Sequence, residues 1–322
     1  MNRRILLLST TAAAFAMGLS AASAEVPRVV TDIPVVHSLT ASVMGDLGTP
    51  ALILDRGADP HSFQMRPTQA RALAEAEVVF WVGPEMTPWL ARALAGTGTR
   101  GTVVSLLGAE GVTLRDYAHG HSHAHDDHGH AHDDHGHDHA HDDHGHAHDG
   151  TDPHAWLYPA NARAWLAAIA AELSARDPAN AGTYAANAAA AAEAVTLLEA
   201  EVRDILAPVG DTPIVVFHDA YGYFDAAFGV NVVGTITLGD AAAPGAARLS
   251  ELRDMLADGA VACIFPEVNH SPRHAEMLVE GTGTRLGGLL DPAGVALEPG
   301  PDLYATLLRD LATTIAACVT EG

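Results

Sequence analysis

Lysine is absent from all 322 residues, so the seventeen basic side chains are all arginine. Against them stand 40 acids, for a formal net charge of −23. That balance argues against a nucleic-acid partner, which needs a basic surface to replace phosphate counterions. Long apolar runs are also lacking. The longest opens at Ile5-Leu6-Leu7-Leu8 and fades by Leu19 into Ala, Ser and Thr, too short and too polar for a stable membrane span. With Arg3 and Arg4 ahead of it and Ala22-Ser23-Ala24 behind, it has the three parts of a cleaved secretory signal, residues 1–24. No Cys lies near the cleavage site, so a lipid anchor is not indicated, and the mature chain is expected to be soluble and exported. Cysteine is scarce: Cys263 and Cys318 are the whole inventory. In an oxidising compartment such a pair reads as one disulfide, contributing roughly 3–4 kcal/mol on the chain-entropy picture. Two buried free thiols are the plainer alternative.

About 300 residues after the leader exceed one ordinary core and predict two domains. Strand-like runs at Val29–Val36, Ala51–Leu54, Val78–Val82 and Thr102–Ser105 alternate with helical patterns at His37–Met44, Arg66–Ala76 and Met86–Ala95. A helix over Asn161–Ser174 and a long pattern over Ala179–Ala207 follow. Strand runs at Pro213–His218, Val230–Val233 and Ala260–Phe265 then alternate with helices at Arg248–Leu256, Ser271–Gly281 and Asp302–Thr320. The alternation predicts an α/β protein of two lobes, each a mostly parallel sheet flanked by helices. One long helix, residues 178–207, joins lobes 25–177 and 208–322.

Fourteen of the twenty histidines crowd into residues 119–149: His119, His121, His123, His125, His128, His130, His132, His135, His137, His139, His141, His144, His146 and His148. The unit Asp-Asp-His-Gly-His recurs there three times, with almost nothing apolar larger than Ala. Such a stretch cannot repay its ordering entropy and reads as a disordered surface loop. Alternating imidazole and carboxylate offers weak, overlapping sites for zinc, copper or nickel, hence an auxiliary metal role. A solubilising insert is the bland alternative.

The tripeptide Asp-Pro-His occurs twice, at Asp59-Pro60-His61 and Asp152-Pro153-His154. Each Pro stiffens its loop, which suits a pre-placed metal ligand. His61, His154 and His218 all fall at junctions on the expected ligand edge of a sheet. Three imidazoles plus a carboxylate or water make a nitrogen-rich zinc site, with Asp291 the fourth candidate. Glu267 and Asp219 are placed to orient an imidazole through its other nitrogen. His37 could line the cleft, while His270 and His274 read as ordinary. Trp156, Tyr221 and Tyr223 read as cleft wall.

Together, Gly57 to His61, the His-rich insert, Asp152 to Trp156, the long helix, Val216 to Tyr221 and Leu290 to Gly294 resemble a known family. It is the metal-specific cluster A-I (cluster 9) family, the periplasmic solute-binding components of zinc-uptake ABC transporters. The resemblance implies two α/β lobes joined by a rigid helix, with the metal between them. It also implies ligands at His61, His154 and His218, of which the last is histidine in zinc members and Glu in manganese members. Asp291 matches a frequent aspartate ligand, and Pro60 removes the acidic alternative found before the first histidine in some members. Cys263 and Cys318 match a disulfide.

The function implied is zinc capture and delivery to a membrane permease, with no catalysis. A periplasmic zinc chaperone is a further expected partner, and the chain is expected to be a monomer. Manganese or nickel are the alternative cargoes. A secreted zinc hydrolase would share the ligand set, but no His-Glu-x-x-His signature occurs. A periplasmic zinc buffer acting through residues 119–149 is the third reading.

Overall fold

The computed structural model describes residues 26–117, 150–237 and 244–321. The leader and the fourteen histidines of the 119–149 run lie outside the described residues.

The first sheet takes strands β1 (Val29–Thr31), β2 (Ala51–Leu52), β3 (Val78–Trp81) and β4 (Thr102–Ser105) in the order β2-β1-β3-β4. All its pairings are parallel. Helices α1 (Pro34–Met44), α2 (Pro67–Glu75) and α3 (Pro88–Thr97) connect the strands. Pro opens each of these helices, where its missing N–H has no intrahelical partner and its fixed φ already suits the first turn. This corrects one boundary. The apolar run expected as a strand to Val36 leaves the sheet at Thr31, because Pro34 converts Val35 and Val36 into the buried first turn of α1.

Helix α4 (Pro159–Arg176) and helix α5 (Ala181–Leu206) follow, antiparallel and packed along their length. At 26 residues, α5 extends about 39 Å. The second sheet holds β5 (Ile214–Val216), β6 (Val232–Thr235), β7 (Cys263–Ile264) and β8 (Arg285–Leu286) in the order β6-β5-β7-β8. It too is wholly parallel among the described residues. Its connecting helices are α6 (Gly222–Phe228), α7 (Ala246–Ala257) and α8 (Arg273–Val279). In each sheet the first strand lies inside, so the chain leaves it in one direction and returns in the other. The crevice between β5 and β7 is therefore a topological switch point, where open α/β sheets take ligands.

The C-terminal helix α9 (Leu303–Thr320) does not stay with the second sheet. It packs against α5 and reaches α1 in the first half. Ser38 of α1 fastens that end: its hydroxyl donates to Pro301 O (2.9 Å) and accepts from Tyr304 N (3.1 Å). Its far end is tied to β7 by the Cys263–Cys318 disulfide, with Cα atoms 6.4 Å apart. One apolar core results, running from Val30 and Val36 through Trp165 and Leu198 to Leu307 and Leu311. A smaller cluster of Val215, Leu252, Ile264 and Leu278 covers the other side of the second sheet.

Candidate metal centre

His61 stands in the loop that leaves β2. Gly57, at φ +75°, turns that loop, and its N–H donates to Val295 O (2.8 Å) in the opposite half. Asp59 Oδ1 accepts the His61 N–H (2.9 Å), an Asx turn, while its Oδ2 accepts the Ser62 hydroxyl (2.7 Å). From α3 the buried Trp89 indole donates to Pro60 O (2.8 Å). The backbone around His61 is thus held on both sides, and its ring is partly exposed.

The second Asp-Pro-His copy folds the same way and goes further. Asp152 Oδ1 accepts both the His154 N–H (2.9 Å) and the His154 ring Nδ1 (2.8 Å). The Trp156 ring stands 5.3 Å from the His154 ring, and its indole donates across the cleft to Pro292 O (2.8 Å). Tyr304 of α9 in turn donates to Trp156 O (2.8 Å). Asp116 and Thr151 form an antiparallel bridge, so the chain enters and leaves the 119–149 run beside this motif.

His218 follows β5 at the switch point, and Glu267 follows β7 on the other side of it. Both Glu267 oxygens lie within reach of His218 Nδ1, at 2.9 and 2.8 Å. The Tyr221 hydroxyl donates to Glu267 Oε1 (3.1 Å). Burial, reinforced by the Glu267 charge, pushes Tyr221 well above the usual phenol range, so it stays a donor. Val268 N and Leu290 N lock the Glu267 segment to its neighbour through bonds to Leu290 O (3.1 Å) and Pro266 O (2.9 Å).

The three imidazoles converge. Ring centroids are 5.2 to 5.9 Å apart, and the available ligand atoms all lie within 4.8 Å of one another. His154 is 1% exposed and His218 5%. A Nδ1–H donated to Asp152 and to Glu267 makes each Nε2 the lone-pair nitrogen of its ring. Those two Nε2 atoms face each other at 3.4 Å. Two nitrogens about 2.0–2.1 Å from one tetrahedral zinc ion stand about 3.4 Å apart, so the pair fits such an ion without adjustment. Behind the imidazoles are two buried carboxylates whose charge a divalent cation balances.

The cavity they enclose is only about 10 Å³, a space for an ion rather than an organic molecule. Asp291 lines it but stands outside the 4.8 Å set. Its Oδ1 accepts Val295 N (2.9 Å) and its Oδ2 accepts Ala296 N (2.8 Å). Burial pushes its carboxyl up, against the pull of those N–H groups and with a further push from Glu267. His270, given no role by its sequence context, lines the same cavity. His37 is instead buried in α1, where burial pushes its imidazole down. Tyr221 proves more than wall, and Asp152 was missed as an orienting group although it sits inside the singled-out motif. The signal was available: an Asp two residues before a His can hold its backbone and its ring together.

The sequence pattern of the family described as zinc-uptake complex component A, periplasmic (ZnuA), matches residues 29–318. A high-affinity zinc uptake system protein ZnuA of Paracoccus denitrificans is 50% identical over 319 residues, covering 97% of this chain and 98% of the relative. The chain belongs to the ZnuA family. A second ZnuA relative, from Brucella suis, is 38% identical over 326 residues, covering 96% and 97% of the two chains. A crystal structure of ZnuA superposes with a TM-score of 0.71 at 25% identity, covering 90% of this chain and 98% of that one. The solute-binding protein FpvC of Pseudomonas aeruginosa, solved with Mn2+, shares the fold at a TM-score of 0.74 and 21% identity, covering 92% and 99%. Membership places the chain among solute-binding transport components. Among the described residues no helix is long and apolar enough to cross a membrane.

Proposed function

We propose that the chain captures zinc in the periplasm, after cleavage of residues 1–24, and delivers it to the membrane permease of an ABC transporter. The observation that carries this reading is the pair of Nε2 atoms 3.4 Å apart, each imidazole backed by a buried carboxylate. His61, His154 and His218 hold the ion. Each Asp291 oxygen accepts one backbone N–H and keeps a lone pair, so either Asp291 or a water can take the fourth position. The names of the ZnuA relatives support zinc as the cargo. Two imidazoles already at the spacing of a compact tetrahedral ion support it independently. FpvC, solved with Mn2+, keeps manganese as the second reading. The 119–149 run acts as an auxiliary collector, since it opens beside Asp152.

The test is a competitive zinc titration of the mature chain, the chain lacking 119–149, and the latter with His61, His154 and His218 changed to Ala. One tight equivalent that survives loop deletion and vanishes in the triple variant is the expected result. Loss of tight binding on loop deletion alone defeats the carrier reading and makes the run a buffer. In the same titration Asp291→Ala weakens binding by less than about tenfold, whereas each histidine variant exceeds that.

A further inference from the structure

We propose that His270 is an exchange ligand: it takes hold of the divalent metal at the pocket mouth while the three-histidine set is incomplete, and so sets how fast metal enters and leaves. This rests on the zinc-capture reading above. Four imidazoles line the one small cavity, and they divide by position. His154 and His218 are buried. His61 and His270 are partly exposed, one from each half of the chain.

His270 is held as firmly as a ligand needs to be. Its ring stacks on Phe217, centroids 4.2 Å apart and planes 16° from parallel, and Phe217 immediately precedes His218. Its N–H donates to the carbonyl of Glu267 (3.2 Å), whose side chain orients His218. His270, Glu267 and His218 thus form one frame around the β5–β7 crevice. The stack fixes the plane of a ring whose residue lines the cavity.

The chemistry that needs such a group is ligand exchange. An ion held by three imidazoles leaves slowly if all three bonds must break before anything replaces them. A fourth imidazole at the mouth lets the bonds be traded one at a time, so each step breaks one bond while making another. The ion passes between a deep arrangement dominated by His154 and His218 and an outer one shared by His61 and His270. Because His270 stands outside the 4.8 Å set, it adds little to the resting complex and much to the path.

The variants are His270→Phe, which keeps an aromatic ring on Phe217 but has no nitrogen, and His270→Ala, which removes both. In the full-length mature chain, stopped-flow measures Zn2+ capture from solution and Zn2+ removal by a chromophoric chelator, and equilibrium competition gives Kd. Both rates fall by about tenfold in both variants. Kd stays within about threefold. Unchanged rates in His270→Phe overturn the proposal. Slowing confined to His270→Ala overturns it too, because only packing would then matter. A Kd that weakens as much as either rate changes makes His270 an equilibrium ligand and is equally fatal. Failure of the unsubstituted chain to bind zinc tightly is a separate result: it defeats the zinc-capture reading itself.

Discussion

Replacing Glu267 by glutamine preserves the volume of the side chain and removes its charge at the most enclosed point of the site. The carboxylate is 1% exposed and accepts from two donors, His218 Nδ1 (2.9 and 2.8 Å) and the Tyr221 hydroxyl (3.1 Å). An amide has one accepting oxygen and an NH2 that only donates, and because His218 Nδ1 lies within reach of both Glu267 oxygens, the NH2 faces that N–H whichever way the amide is turned. His218 then loses the partner that fixes its tautomer and makes Nε2 a stronger ligand. Orienting groups of this kind change metal affinity by about 10–100-fold, which is about 1.4–2.7 kcal/mol. His218→Ala, which removes the ligand itself, costs more. The metal-free protein behaves differently. A buried carboxylate without a fixed cation is a burden on the fold, so Glu267→Gln leaves its urea midpoint nearly unchanged or raises it. The assay is chelator competition for Zn2+ beside urea unfolding of the metal-free chain. Wild-type affinity in the variant refutes the orienting role. A midpoint that falls in step with affinity refutes it as well, since the effect would then be general damage to the crevice.

Asp32 supplies a pH signature. It is fully buried at the end of β1, accepting from Ile33 N (2.8 Å), Val82 N (2.9 Å) and the Thr87 hydroxyl (3.3 Å). Burial outweighs those bonds and pushes its carboxyl from 3.8 to about 7. The folded state therefore binds this proton more tightly than the unfolded one, and the associated stability is complete below 3.8 and lost as pH rises through about 7. The span corresponds to at most about 4 kcal/mol. In urea unfolding of the metal-free chain, Asp32→Asn has a shallower decline across that window than the unsubstituted protein; parallel slopes refute the assignment. Removing the disulfide as Cys263→Ser with Cys318→Ser opens a loop spanning 55 residues and lowers stability by about 4 kcal/mol. Thermal unfolding reads this directly, and an unchanged midpoint refutes it.

The first half was legible because its helices open at prolines that the sequence displays. Pro67 and Pro88 sit where their helices begin. The error at β1 has the same origin, since Pro34 was read inside a strand when it opens α1. Helix α6 and strand β8, of seven and two residues, were not anticipated from the sequence. The three ligand histidines could be picked out by their junctions, two of them by a repeated motif. What the motif does not say is that its copies diverge. Asp152 holds its histidine at backbone and ring, whereas Asp59 gives its second oxygen to Ser62. Nor does local sequence place His270, whose ring stacks against Phe217, just past the end of β5. The path of α9 back to α1 is equally non-local.

The apolar core that runs unbroken from β1 through α5 to α9 has a calorimetric consequence. A binding protein that closes like a jaw hides greasy surface when its ligand arrives, and its heat capacity drops accordingly. Here one continuous core already joins the two halves and leaves little such surface for closure to hide. Metal binding then reduces to exchanging an ion's hydration water for imidazoles that stand nearly in place, with a heat that barely changes with temperature.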